Sequence, residues 1–400
     1  MTETASDPIA EQPAPVFANF QYEIYGRGLA GETPPQPVDW AELERRASEA
    51  LSVEARGYVA GAAGSERTLK ANLDAFARWR IVPRMLRDTS QRMLARTVLG
   101  TEMPAPVLLA PVGVQTIVHP EGELASARAA AALGVPYIHS TAASHSFEEV
   151  AQASGSGSRW YQLYWPRDPE LAQSFLERAA RSGYTAVVVT LDTGTLGWRP
   201  RDLQAGYLPF LSGVGVANYF SDPVFRAALA VAPEEDLGPA IGHWAVNFAN
   251  PTITWEDLPW LREQTELPIL LKGIVHADDA RRALDCGMDG LIVSNHGGRQ
   301  VDGAIAALDA LPAVREAVGD AFPLLFDSGI RGGADVVKAL ALGAEAVCIG
   351  RPYMWGLALG GQQGVEHVLR CLLAELDLTL ALSGCTSVDE VDRELLVAAA

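Results

Sequence analysis

The segment SNHGGRQVDG at residues 294–303 sets His296 three residues ahead of Arg299, across a pair of glycines. Histidine is the side chain whose ordinary pKa lets it exchange a proton near neutrality. Arginine supplies a fixed cation beside it, and the glycines allow a backbone to come close to a ligand. A lone histidine is more often structural. Its position favours chemistry here, because the segment begins where the apolar run LIVS at 291–294 ends. Spacing alone names no reaction.

Two further segments, DSGIRGG at 327–333 and IGRP at 349–352, each follow an apolar run and hold Arg331 and Arg351 among glycines. Loop amides and a helix N-terminus after the last strands of a barrel commonly bind phosphate. The chain contains neither G-x-G-x-x-G nor a Walker A sequence, so a nicotinamide dinucleotide or ATP would lack its usual anchor. Lys272 closes the apolar run ILLK at 269–272. A charge at that place requires a partner.

Short apolar runs position these residues: VLLA (107–110), YIHS (137–140), WYQLY (160–164), AVVVTL (186–191), ILLK (269–272), LIVS (291–294), LLFD (324–327) and AVCIG (346–350). Helix-like stretches such as DDARRALDCG and GADVVKALALG separate them. Eight buried strands, each followed by a helix, predict a parallel (β/α)8 TIM barrel, with a doubly wound open sheet as the alternative. Ser140, Gln162, Tyr164, Thr190, Asp192, Lys272, Ser294 and Asp327 all fall at strand C-terminal ends, which converge on one mouth in a barrel. Any one of them could instead cap a following helix.

In front of the barrel, VDWAELERRASEAL from Val38 and the stretch from Ser65 to Phe76 read as a helical cap, and residues 1–20 as a flexible arm. The expected barrel domain spans 21–400. About 75 residues separate Asp192 from Pro268, far more than a βα crossover needs, so a lid is expected over about 199–255. Its Gly, Pro and aromatic content suits a mobile loop that excludes water from a site.

The chain has 400 residues, 48% of them hydrophobic, and a formal net charge of −18. That charge argues against a nucleic-acid partner. No apolar stretch is long enough to span a membrane and the N-terminus lacks a signal-peptide pattern, so a cytoplasmic protein is expected. The four cysteines are isolated and no Cys/His cluster has metal-ligand spacing, so no metal site is expected.

SNHGGRQ, with LLKGI upstream and FDSGIRGGADVVKALALGAEAVCIGRP downstream, resembles the FMN-dependent 2-hydroxy acid oxidase and dehydrogenase family. The resemblance runs from YVAGAAGSERTLKANLDAF near residue 58 through LLAPVGV, YQLYW, TLDT and GWRPRD to LALSGC near 385. It implies a flavin enzyme that oxidises a small 2-hydroxy acid with dioxygen or another acceptor, in a homotetramer or larger assembly. Within the family, QYEIYGRGL, GWRPRDL and the long lid look most similar to lactate 2-monooxygenase, which converts L-lactate and O2 to acetate, CO2 and water. An oxidase releasing the keto acid and hydrogen peroxide, or a dehydrogenase with another acceptor, are the alternatives. Ala142 stands where relatives differ in bulk, leaving room for a side chain larger than methyl.

The resemblance implies a role for each residue. His296 is the catalytic base, supported by Asp192, whose charge favours the imidazolium. The proton it takes could come from the α-carbon or from the hydroxyl. Arg299, Tyr58 and Arg199 bind the substrate carboxylate, and Tyr164 its hydroxyl or the product keto oxygen. Lys272 lies near the N1 and C2-carbonyl edge of the flavin, where a cation favours the reduced ring. Ser140, Gln162 and Thr190 bond the pyrimidine side, and Ala110, Pro111, Val112 and Gly113 approach the ring face. Arg331 and Arg351 hold the phosphate, Asp327 reaches the ribityl chain, and Ser294, Gly329 and Gly350 complete the cofactor set. Tyr207 is a candidate gate.

Without the resemblance, the same residues allow a barrel aldolase or isomerase with Lys272 as Schiff-base nucleophile. They also allow a barrel that only binds a phosphorylated ligand. The second has no use for an aligned His296, Asp192 and Tyr164.

Overall fold

Along each predicted strand, alternate residues face opposite ways, and the two sets form two separate cores in the computed structural model, which describes residues 16–399. The strands are β1 (Val107–Leu109), β2 (Tyr137–Ser140), β3 (Arg159–Leu163), β4 (Val187–Thr190), β5 (Ile269–Ile274), β6 (Gly290–Val293), β7 (Leu324–Phe326) and β8 (Ala346–Ile349). All pairings are parallel, and β8 returns to β1 through Val347 to Val107 and Ile349 to Leu109, closing the barrel. The open-sheet alternative fails at that pairing.

Leu108, Ile138, Trp160, Val188, Leu270, Ile292, Leu325 and Cys348 fill the barrel interior. Their neighbours Val107, Tyr137, Tyr161, Val187, Ile269, Leu291, Leu324 and Val347 pack outward against the helices. A period of two with both faces apolar is what a parallel barrel requires. An antiparallel hairpin, Arg96–Val98 with Thr101–Met103, plugs the end where the strands begin. Val98 and Met103 join the interior core, and Trp160 Nε1 donates to Thr101 Oγ1 at 2.9 Å. With one end plugged, the opposite end is free to hold a ligand.

Helices Trp40–Ala50 and Arg67–Ala77 form where the cap was expected, the first capped by Asp39, whose side chain accepts from the Glu42 amide. A helix at Val53–Ala60, carrying Tyr58, was not anticipated. Residues 1–15 of the expected arm lie outside the described residues. From residue 18 the expectation is corrected: a helix spans Asn19–Gly28, the Ala18 amide donates to Asp377 Oδ2 at 2.8 Å, and the Arg370 guanidinium lies 4.0 Å from the Phe20 ring centre. Buried Asp377 anchors this segment to the long helix Arg351–Ser383.

The segment expected as a lid contains the helices Pro200–Ala205, Ala217–Phe220, Pro223–Ala227 and Leu237–Phe248. Buried Asn218 pins its middle to the barrel. Its amide donates to the carbonyls of Ser140 (3.1 Å) and Thr141 (3.2 Å), and its Oδ1 accepts from the Phe147 amide. Each such bond contributes about 1 kcal/mol net. Tyr219 and Phe225 are buried beside it.

Candidate active site

Continuing the inward-facing register past the apolar layers gives a polar layer: Ser140 after Ile138, Gln162 after Trp160, Thr190 after Val188, Lys272 after Leu270, Ser294 after Ile292, and Asp327 after Leu325. Ser140 pairs with Gln162 and Thr190 with Lys272 across neighbouring strands. Two residues further on stand Tyr164, Asp192 and His296. The strand-end residues read from the sequence are therefore successive rungs at one mouth of the barrel.

A cleft of about 1090 Å³, counting its open mouth, occupies this end. Tyr58, the 110–113 backbone, Ser140, Ala142, Tyr164, Arg199, Lys272, His296, Arg299, Asp327, Gly329, Arg331, Gly350 and Arg351 line it, as the sequence predicts for a site. Gln162, Thr190, Ser294 and Asp192 are not on that lining, and Thr190 and Asp192 border a neighbouring cavity instead. Tyr207 is half-buried and off the lining, whereas Phe210, three residues on, lies on it. Leu196, Phe248, Thr193 and Ser328 also line the cleft and were not anticipated. Phe248 ends the helix Leu237–Phe248, and nothing local in the sequence marks it.

His296 adopts φ +59°, followed by Gly297 and Gly298 at +62° and +79°. A histidine seldom takes this left-handed turn. Here Asn295 Oδ1 accepts from the Gly298 amide, and the His296 amide donates to Ser294 Oγ at 3.0 Å. The turn brings His296 Nδ1 to 2.8 Å from Asp192 Oδ1, with Thr193 Oγ1 donating to the same oxygen. Burial opposes ionisation of Asp192, yet His296 and Lys272 outweigh it and hold its carboxyl down to about 2. Asp192 is then an acceptor only, so Nδ1 carries the proton and Nε2 presents its lone pair.

Asp192 does favour the His296 imidazolium, but burial and the Lys272 charge oppose it, and the net shift is downward from the ordinary value of 6.5. The resting imidazole is neutral at neutral pH, which is the state a base requires.

Arg299 Nη1 donates to the carbonyls of Tyr58 (2.5 Å) and Gly61 (2.8 Å), and its guanidinium lies 5.0 Å from the Tyr58 ring centre. Arg199 Nε donates to the Arg299 carbonyl, and Nη2 to Gln300 Oε1 at 2.8 Å. Gln300 Nε2 in turn donates to the Asp192 carbonyl at 2.6 Å, joining the lid arginine to the residue supporting the histidine. Burial and Arg199 push Arg299 down to about 10, and burial with Arg299 and Arg331 pushes Arg351 down to about 9. Neither has a carboxylate within salt-bridge distance among the described residues. Half-buried guanidinium groups without a carboxylate partner call for an anion.

That anion fits a phosphate at one end and a substrate carboxylate near Arg299. Arg351 is more constrained than anticipated, since its three nitrogens donate to the carbonyls of Val59, Gly297 and Gly61. Arg331 is freer, with Glu44 no nearer than 4.0 Å. In the polar layer, next to the cleft-lining Ser140 and Lys272, buried Gln162 Nε2 and Thr190 Oγ1 have no partner among the described residues. An unsatisfied buried polar atom costs about 1–3 kcal/mol. A flavin pyrimidine edge, which offers both acceptors and a donor, would satisfy them, so the residues present fit FMN. Gly113 lets the 110–113 backbone pack closely on Ala142, since a Cβ there would lie 2.4 Å from the Ala142 carbonyl oxygen.

Lys272 Nζ donates to Ser294 Oγ at 3.0 Å and lies 3.2 Å from Asp327 Oδ2. Burial lowers its pKa, but Asp327 and Asp192 outweigh burial and hold it above the ordinary lysine value. A Schiff-base nucleophile needs a depressed amine, so the aldolase alternative loses its support.

The profile of the FMN-dependent dehydrogenase family matches residues 47–398. The FMN-dependent alpha-hydroxy acid dehydrogenase qulF of Penicillium citrinum is 47% identical over 384 residues, covering 95% of this chain and 96% of the relative. The L-lactate oxidase of Lysinibacillus sphaericus is 46% identical over 363 residues, covering 91% and 93%. The crystal structure of a mandelate oxidase superimposes with a TM-score of 0.80 at 42% identity, covering 91% of this chain and 99% of that one.

Proposed function

The chain belongs to the FMN-dependent dehydrogenase family and is an FMN oxidoreductase of 2-hydroxy acids, and from that premise we propose that it acts as a lactate 2-monooxygenase. The single observation that carries the 2-hydroxy acid chemistry is the pairing of a proton-accepting His296 Nε2 with the guanidinium groups of Arg299 and Arg199 in one cleft. The extent of the helical insertion over that cleft supports the monooxygenase outcome, because a covered site retains its product.

In this reading Arg299, with Arg199 and Tyr58, fixes the substrate carboxylate. The carboxylate then completes the charge balance that these arginines lack. The Tyr164 hydroxyl, pushed up to about 12 by burial, stays protonated and donates to the 2-oxygen. His296 Nε2 removes a proton and becomes an imidazolium, which Asp192 stabilises through Nδ1. When bound, FMN would supply the two-electron acceptor for the substrate and the redox group reoxidised by dioxygen.

Lys272, Ser140, Gln162, Thr190, Ser294 and the 110–113 backbone would hold the ring. Asp327, Gly329, Arg331, Gly350 and Arg351 would hold the ribityl phosphate. In the monooxygenase outcome, pyruvate and hydrogen peroxide react before either leaves: the C1–C2 bond breaks, and acetate, CO2 and water form. We further propose a cytoplasmic homotetramer or larger homo-oligomer, on the strength of the family resemblance.

Product analysis after aerobic turnover of L-lactate tests the finer reading. Acetate and CO2 support it, whereas pyruvate with stoichiometric peroxide makes the protein an oxidase. A variant with a shortened 199–255 segment is expected to shift product from acetate toward pyruvate; an unchanged ratio contradicts the role given to the insertion.

A further inference from the structure

A second cavity of about 1430 Å³, mouth included, lies beside the cleft and shares Tyr164, Thr193 and Phe248 with it. Its apolar lining includes Trp165, Leu191, Ile253, Trp255, Leu258 and Ile274. Its charged residues are Asp192, on the wall next to the cleft, and Glu256, Asp279 and Arg282 at its exposed rim. There Arg282 Nη2 donates to Glu256 Oε1 at 2.7 Å and its guanidinium lies over the Trp255 ring. Two carboxylates against one guanidinium disfavour an anion at that end.

Phe248 stands between the two spaces. Its ring centre is 5.1 Å from Tyr164, 5.5 Å from Phe210 and 4.8 Å from Trp244. It is the last residue of its helix, and the next residue, Ala249, leaves the helical conformation.

We propose that the second cavity is an annex for the side chain of aryl or long-chain 2-hydroxy acids, and that Phe248 is the partition that sets how far such a side chain reaches. The carboxylate stays at Arg299 and Arg199, and the apolar group passes between Tyr164 and Thr193 where Phe248 now stands. The carboxylates of Asp192, Glu256 and Asp279 disfavour an anion in the annex, while Trp165, Leu191, Ile253, Trp255, Leu258 and Ile274 offer an apolar surface to the side chain.

This rests on the 2-hydroxy acid reading of the cleft, and the test separates the two. Flavin absorbance changes give the dissociation constants of pyruvate and benzoylformate, and kcat/KM is measured for L-lactate and L-mandelate. The variants are Phe248→Ala, the milder Phe248→Leu should the first lose FMN, and each combined with Ile253→Trp. Ile253 lines only the annex, so Ile253→Trp alone should leave lactate turnover unchanged.

Removing the partition should raise the mandelate-to-lactate ratio, and tighten benzoylformate relative to pyruvate, by roughly tenfold or more. Adding Ile253→Trp should cancel both gains. No gain, or a gain that survives Ile253→Trp, overturns the annex while leaving the cleft assignment intact. Failure of every 2-hydroxy acid to bleach the parent protein overturns both.

Discussion

His296 Nδ1 lies 2.8 Å from an Asp192 carboxylate held down to about 2, so one interaction fixes the imidazole tautomer and keeps Nε2 unprotonated. Asp192→Asn changes that tautomer without changing the shape, since an amide can donate to Nδ1 and move the proton to Nε2. Flavin reduction by substrate should slow by about 10²–10⁴-fold with FMN content unchanged. A loss smaller than tenfold would remove Asp192 from the account.

The downward shift of His296, from burial first and Lys272 second, sets a pH dependence. In the free enzyme kcat/KM should rise as His296 deprotonates, with the midpoint of that acid limb below the ordinary imidazole value, and Asp192, Lys272 and Arg199 are the charged neighbours that tune it. An acid limb centred above 7 would contradict this. The same groups give a stability profile. His296 has a folded pKa below its unfolded value, so the unfolded chain binds more protons as pH falls past about 6.5 and stability declines there. Asp192, also depressed on folding, adds stability that is complete above about 4 and lost on the way down to its folded value. Chemical denaturation at pH 7.5, 5.5 and 4 checks the sign.

Much of this site was legible because strands impose a period of two. Ser140, Gln162, Lys272, Ser294 and Asp327 read as polar ends of apolar runs, and the barrel register makes them one layer. The helix carrying Tyr58 was not legible: its buried residues are Ala55, Gly57, Val59 and Ala60, too small to print an apolar stripe. The helices of the insertion were hidden for another reason, as several are only four to six residues long and depend on anchors such as Asn218 that act over long sequence distances. The direction of the His296 shift depends on how fully the cleft buries it, which no local pattern encodes.

Arg299 is held by two carbonyls while its guanidinium stacks on Tyr58, a geometry that lysine cannot copy. Arg299→Lys should weaken oxalate and substrate binding by about 10–100-fold, and Arg299→Met by more, given that a charge-assisted bond contributes roughly 1.5–3 kcal/mol. Titration of flavin absorbance with oxalate measures it. Equal affinity in the lysine variant would show that only net charge matters.

Gly113 leaves no room for a side chain against Ala142, since a Cβ would lie 2.4 Å from its carbonyl oxygen, so a larger residue must displace the 110–113 backbone that lines the cleft. Gly113→Ala should be purified with reduced FMN content and should rebind FMN more weakly than the parent, with the barrel still folded by circular dichroism. Full FMN occupancy would show that displacing the 110–113 backbone leaves cofactor binding intact.

The central claim is that His296 is the base for FMN-dependent oxidation of a 2-hydroxy acid. Anaerobic stopped-flow mixing of L-lactate with the FMN-loaded parent and with His296→Ala tests it most directly, following loss of flavin absorbance. The account predicts fast bleaching of the parent and bleaching slowed about 10²–10⁴-fold in the variant at equal FMN content. A variant that bleaches as fast as the parent, or a parent bleached by no 2-hydroxy acid, would contradict it.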